Sequence, residues 1–94
     1  MKVVHESDHN RFTAYTDDDG RMGELGYTHK EGKLWAMHTN VDHQYRGKGV
    51  AGELLSALVG YAEKDGQKIV PVCSYVADAF GRDPGRYRAV MDTE

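Results

Sequence analysis

A single cysteine, Cys73, and two prolines, Pro71 and Pro84, stand in a chain of 94 residues. One cysteine rules out an internal disulfide framework and points to a reducing compartment. No apolar run approaches the ~18–20 residues that cross a bilayer. The opening Met1-Lys2-Val3-Val4-His5-Glu6 has no signal-peptide apolar region, so the expected location is the cytoplasm and no membrane partner is expected. Basic charge is not in excess: 12 Lys and Arg against 15 Asp and Glu leave a net charge of -3, which argues against nucleic acid as a partner. Internal repeats, low-complexity segments and linkers are absent as well.

What remains is the composition of an ordinary soluble globule, with 39% hydrophobic and 29% charged residues, rather than that of a disordered chain. The length fits one domain, 1–94. A domain of this size buries only roughly 60–65% of its unfolded surface, which leaves little room for a second active module.

Alternation predicts a short strand starting at Val3-Val4, a second over 11–15 and a third over 22–29, with Leu25 and Tyr27 on one face. Asp17-Asp18-Asp19-Gly20 is a turn signal, with Gly20 suited to positive φ, and Lys30-Glu31-Gly32 makes a second hairpin. Leu34-Trp35-Ala36-Met37 is apolar on both faces, as in a central strand, and continues to about Val41. One amphipathic helix follows. Val50, Leu54, Leu58 and Tyr61 fall at helical spacing, Ala51, Leu55, Val59 and Ala62 widen the stripe, and Lys64 and Gly66 form the stop. Residues 69–75 then read as a β-branched strand, parallel to its predecessor by the right-handed crossover rule. Short helices from Ala77 onward are broken at Asp83-Pro84-Gly85. Pro71 cannot donate to a ladder, so its strand is an edge or its nitrogen faces a gap. The second option is the expectation, with the two parallel strands splayed.

Before the helix lies Asp42-His43-Gln44-Tyr45-Arg46-Gly47-Lys48-Gly49. A loop at a helix N-terminus offers unpaired backbone N–H groups and the positive end of a dipole worth about half a unit charge, a site suited to phosphate. Gly47-Lys48-Gly49-Val50-Ala51-Gly52 also satisfies G-x-G-x-x-G. A dinucleotide fold is disfavoured because five residues separate Val41 from Gly47 and no carboxylate closes the next strand. The P-loop pattern is absent.

The spacing Gln44-x-x-Gly47-x-Gly49 resembles the pyrophosphate loop of GNAT acetyltransferases. His38-Thr39-x-Val41, Arg46-Gly47-Lys48-Gly49 and Pro71-x-Cys73-Ser74-Tyr75 resemble the small single-domain GNAT-like N-acetyltransferase proteins over roughly residues 10–90. The resemblance implies a compact α/β (α+β) GNAT-like fold: an antiparallel meander, then strand, glycine loop, helix, parallel strand and short C-terminal helices. It implies acetyl-CoA or coenzyme A held by Thr39, Asn40, Val41, Gln44, Tyr45, Arg46, Gly47, Lys48, Gly49, Val50 and Ala51, with pantetheine lying in the splay.

Acetyl transfer to an amine needs a base for the amine proton and an acid for the leaving thiolate. Cys73 is a candidate acid or a nucleophile in a ping-pong route, with a small buried hydrophobe as the plainer account. Tyr75 is a candidate acid or thiol-orienting group, and His38 a candidate base, since imidazole titrates near ~6.5. Arg82, Arg86 and Arg88 could reach the 3′-phosphate, or simply form a solvated face. The histidines have no companions at zinc spacing, so no metal is expected. GNAT enzymes generally insert helices between their first two strands, whereas here only Thr16 to Arg21 is available. An open acceptor side suits a protruding primary amine on a peptide or protein. The alternative is a non-catalytic acyl-CoA binding or sensing module.

Overall fold

The structure, a computed structural model, describes residues 1–92. Five strands form one sheet in the order β1-β2-β3-β4-β5: β1 (Lys2–Glu6), β2 (Arg11–Tyr15), β3 (Arg21–Lys30), β4 (Lys33–Val41) and β5 (Ile69–Pro71). The first four pair antiparallel and β5 joins β4 in parallel, as the crossover rule predicts. The mixed α+β fold expected from the sequence is the one observed.

Turn chemistry closes the meander. Glu31 (φ 56°) and Gly32 (φ 72°) both take the left-handed conformation between β3 and β4, as a two-residue hairpin of this hand requires. In the preceding turn it is Asp19, with φ 68°, that goes left-handed, and Gly20 does not. An aspartate tolerates that region through its short polar side chain, so the expectation for Gly20 moves one residue back.

Helix α1 (Val50–Asp65) begins after Gly49 and stops at Gly66, both left-handed, with the Gly66 N–H returning to carbonyls of the last turn. Its stripe of Val50, Leu54, Leu55, Leu58 and Ala62 is buried. It packs on the sheet face formed by Phe12, Ala14, Leu25, Tyr27, Leu34 and Ala36. Each fully buried leucine there stabilises the fold by about 1.5–3 kcal/mol. No described helix packs on the opposite face. That face presents Thr28, Trp35, His38 and Asn40, and a polar network in which Glu6 accepts from Arg11 (2.6 Å), Thr13 (2.8 Å) and Tyr15 (2.5 Å).

The expected strand over 69–75 is shorter than its composition suggests. β5 pairs only as Leu34↔Ile69, Trp35↔Val70 and Ala36↔Pro71. The Val72 N–H turns back to the Val70 carbonyl, and the Cys73 N–H takes the Ala36 carbonyl in its place. The chain then enters α2 (Ser74–Arg82), whose Val76, Ala79 and Phe80 are buried, followed by α3 (Pro84–Tyr87). The orientation of Pro71 also differs from expectation. Ile69 donates to Val90 and accepts from Asp92 on the outer side. By strand alternation Val70 then faces β4 and Pro71 faces outward again, so its missing N–H lies on an edge and not in the gap. The splay itself is present: residues 37–41 of β4 have no β5 partner.

Candidate functional site

The glycine loop occupies the open end of this splay. A 3-10 turn at His43–Tyr45 leads from β4 to Gly47 (φ 81°) and Gly49 (φ 80°), which bracket Lys48. A Cβ at either glycine would meet nothing within 4 Å. The backbone angle, and not a lack of space, therefore demands glycine there. Gly49 is the N-cap of a 16-residue helix and supplies no side-chain cap. The first-turn N–H groups thus point outward with the positive end of the helix dipole behind them. The Arg46 guanidinium adds a cation and donates to the Val41 carbonyl at 3.4 Å.

Two hollows adjoin at this helix end. One, of about 230 Å³, is lined by Val41, Tyr45, Arg46, Gly47, Gly49, Val50, Ala51, Gly52 and Tyr75. The other, of about 360 Å³, runs between α1 and α2–α3, with Glu53, Ser56, Arg82, Asp83 and Arg86 among its walls. They share Gly49, Gly52 and Tyr75. A Cβ at Gly52 would lie 3.9 Å from the Tyr75 hydroxyl, which places that phenol beside the first turns of α1.

Cys73 is buried at the apex of the splay, its Sγ 3.4 Å from Thr39 Oγ1 across the divide. Thr39 shares a face with its register partner Leu25, the face that α1 covers. The structure therefore gathers Thr39, Val41, Tyr45, Arg46, Gly47, Gly49, Val50, Ala51, Cys73 and Tyr75 on one side. Gln44 and Lys48 are exposed on the loop.

His38 and Asn40 lie on the opposite face. The His38 imidazole rests over Gly26, where a Cβ would come within 2.3 Å of its ring, and its Nε2 is 2.9 Å from Glu24 Oε2. Glu24 also accepts from Arg21 at 2.8 Å, and these two hydrogen bonds hold its carboxyl below the usual range. Among the described residues no group of three or more His, Cys, Asp or Glu side chains could hold a metal ion, and no helix is long and apolar enough to cross a membrane.

Several groove residues were not singled out from the sequence: Glu53, Ser56, Ala79 and Tyr87. The helical spacing of Tyr75, Val76, Ala79 and Phe80 carries the signal for α2, and reading 72–75 as strand concealed it. Arg82 and Arg86 do line the groove, while Arg88 is not among its walls.

The site is thus a mixed sheet with a splayed parallel pair, opening on a helix without a side-chain cap behind a glycine loop. The solution structure of a GCN5-like protein from Staphylococcus aureus matches 97% of this chain and 87% of its own, with a TM-score of 0.75 at 24% identity. The crystal structure of nourseothricin acetyltransferase matches 70% of this chain with a TM-score of 0.56 at 24% identity, and this chain spans 42% of that one. At these identities the likeness is one of fold. No significant match was found among curated proteins. A family model described as GCN5-related N-acetyl-transferase matches residues 11–90, and the chain belongs to that family.

Proposed function

We propose that this protein binds acetyl-CoA in the groove beside α1 and transfers the acetyl group to a primary amine on a peptide or protein. The observation that carries this reading is the meeting of a strand edge without a strand partner and a helix N-terminus without a side-chain cap. The β4 edge is unpaired beyond Ala36, and it runs directly into a helix N-terminus that no side chain caps. A pyrophosphate suits the amides at Gly47–Ala51, with Arg46 and Lys48 as flanking cations and Gln44 and Tyr45 on the loop before them. The free edge at Thr39, Asn40 and Val41 suits the amides of pantetheine. Arg82 and Arg86 offer charge to a 3′-phosphate.

Acetyl-CoA supplies a thioester, so that a nitrogen–carbon bond forms as the carbon–sulfur bond breaks and one proton passes from amine to thiolate. Tyr75 and Cys73 are the proton donors of this chain beside the splay. The Cys73 thiol could instead accept the acetyl group before the amine does. His38 would take the amine proton from the helix-free face. A non-catalytic acyl-CoA module is the second reading, favoured by the short connections: a 3-10 turn at Ser7–His9 between β1 and β2, and a tight turn between β2 and β3.

A thermal-shift titration with acetyl-CoA, against coenzyme A, NADH and ATP, tests the cofactor. A ligand at a hundred times its dissociation constant stabilises by about 2.7 kcal/mol. Stabilisation by acetyl-CoA is the expected result, and none would leave the glycine loop as a mere turn. Coenzyme A release that depends on added amine is expected of the enzyme, whereas tight binding without release would select the module. Full turnover in Cys73→Ala would remove the covalent route.

A further inference from the structure

The two outer strands of the sheet differ on their free sides. β5 is engaged there, where Ile69 donates to Val90 and accepts from Asp92. β1 pairs only with β2, and among the described residues no backbone hydrogen bond reaches its other side. Its register is unbroken from Lys2↔Tyr15 to Glu6↔Arg11, whereas a bulge interrupts each of the next two pairings. The usual guards of an edge, a bulge, a proline or a lysine, are missing from Val3-Val4-His5. Val4 is 41% exposed, and Met1, just before the strand, 49%.

The free groups belong to alternate residues. The Tyr27 N–H donates to the Asn10 carbonyl, so Asn10, Phe12 and Ala14 turn their backbone toward β3. Arg11, Thr13 and Tyr15 then turn theirs toward β1. Their partners Glu6, Val4 and Lys2 bond inward, and Val3 and His5 hold N–H and C=O groups outward. Side chains follow the same period. Val3 and His5 lie on the face that α1 covers, with His5 stacked on Phe12, and Lys2, Val4 and Glu6 lie on the bare face.

We propose that β1 is the docking edge for a second copy of this chain, joined antiparallel about a two-fold axis at Val4. That register sets Val3 against the partner's His5 and His5 against the partner's Val3, so every outward N–H and C=O of both strands finds a partner. An axis at Val3 or at His5 would pair the other residue with Met1 or Ser7, outside the strand. Val4 meets the partner's Val4 as a non-hydrogen-bonded pair, where side chains come closest, and its exposed apolar surface is covered. Lys2 falls opposite the partner's Glu6. Each keeps its own ion pair, with Asp19 at 2.6 Å and Arg11 at 2.6 Å. The flanks therefore fix the register by keeping like charges apart, and the backbone supplies the bonds. Lys2-Val3-Val4-His5-Glu6 is its own complement when reversed, which selects a second copy as the occupant. The contact is isologous and the outer side of β5 is engaged, so assembly stops at two. β1 is the strand farthest from the splay, and the groove stays open.

Sedimentation velocity over about a hundredfold range of chain concentration is expected to show monomer passing to dimer and nothing larger. Across that range hydrogen exchange at the Val3 and His5 amides should slow at least tenfold, with the Val4 amide protected throughout. Val4→Lys and Val4→Glu should each raise the dimer dissociation constant at least tenfold, because like charges meet at the axis. An equimolar mixture of the two should dimerise again. Val3→Pro removes only an outward donor and should weaken the dimer likewise. A chain monomeric throughout, with unprotected Val3 and His5 amides, overturns the proposal and leaves the edge to a strand of another protein. Species larger than a dimer, or a dimer indifferent to the Val4 charge variants, overturn it too. The wild-type measurements decide even where a variant folds poorly.

Discussion

Along its β3 side, strand β4 is paired over the register from Gly23↔Val41 to Lys30↔Lys33, whereas along its β5 side pairing runs only from Leu34↔Ile69 to Ala36↔Pro71. The contrast extends to side chains. On the meander, Glu6 is saturated by three side-chain donors. At the splay, Gly49 begins a long helix with no side-chain cap. Unpaired backbone groups are normally satisfied within the fold, so a chain that completes one edge of a strand and leaves the other open has reserved the second for something else. On the acetyl-transfer reading proposed above, the meander is scaffold and the splay is the binding site.

Substitutions on the two sides should fail in different ways. Gly23→Ala strikes the completed edge: its Cβ would lie 2.6 Å from the Asn40 carbonyl oxygen. Backbone cannot swing aside as a side chain does, so a loss of up to about 3 kcal/mol in urea unfolding is expected. A wild-type midpoint would mean that the β3–β4 pairing is looser than described.

Acid tests the same region. Hydrogen bonds from Tyr15, Arg11 and Thr13 lower the Glu6 carboxyl from 4.5 to about 2. A lowered folded value gives stability that is complete above the unfolded value and is lost as pH falls from 4.5 toward 2. With a fifth of the side chain exposed, the loss is about 2 kcal/mol. In Glu6→Gln the urea midpoint should vary less across that window than in the wild type. An unchanged slope would assign the acid limb to other carboxyls such as Glu24.

Gly49→Ala acts at the open side, through φ alone. It should cost about 1–2 kcal/mol and abolish the thermal response to acetyl-CoA, where Gly23→Ala should keep that response in whatever fraction stays folded. Gly60→Ala sharpens the contrast with the smallest change. Gly60 is inside α1 and a Cβ there meets nothing within 4 Å, so a gain of about 0.5–1 kcal/mol is expected, with ligand response intact. A loss in both glycine variants would mean that backbone conformation is not what separates them.

The parts legible in the sequence were those whose signals are local. The two hairpins announce themselves in Asp-Gly and Glu-Gly turns, and α1 in its stripe between Gly49 and Gly66. The glycine loop is contiguous, so the turn at Gly47 and Gly49 could be read as a pattern. What escaped is set by partners distant in the chain. Val72-Cys73-Ser74-Tyr75 has strand-like composition, yet the Ala36 carbonyl takes the Cys73 N–H and turns the chain out of the ladder. The approach of Thr39 to Cys73, the Gly26 seat under His38 and the placement of Trp35 beside Val72 likewise depend on register across strands. No single segment encodes them.

The outward turn of Pro71 has a consequence for how copies of this molecule treat one another. An edge strand with unpaired backbone groups is an invitation to sheet extension, in which a neighbouring chain adds its own strand and aggregation follows. Here Ile69 is already engaged on that side by Val90 and Asp92, which Lys33 holds at 3.2 Å, and the next outward position is a proline with nothing to donate. Val72 and Cys73 end the pairing on the inner side and open the splay, while Pro71, Val90 and Asp92 leave the outer side of β5 with no free ladder for a stranger to join.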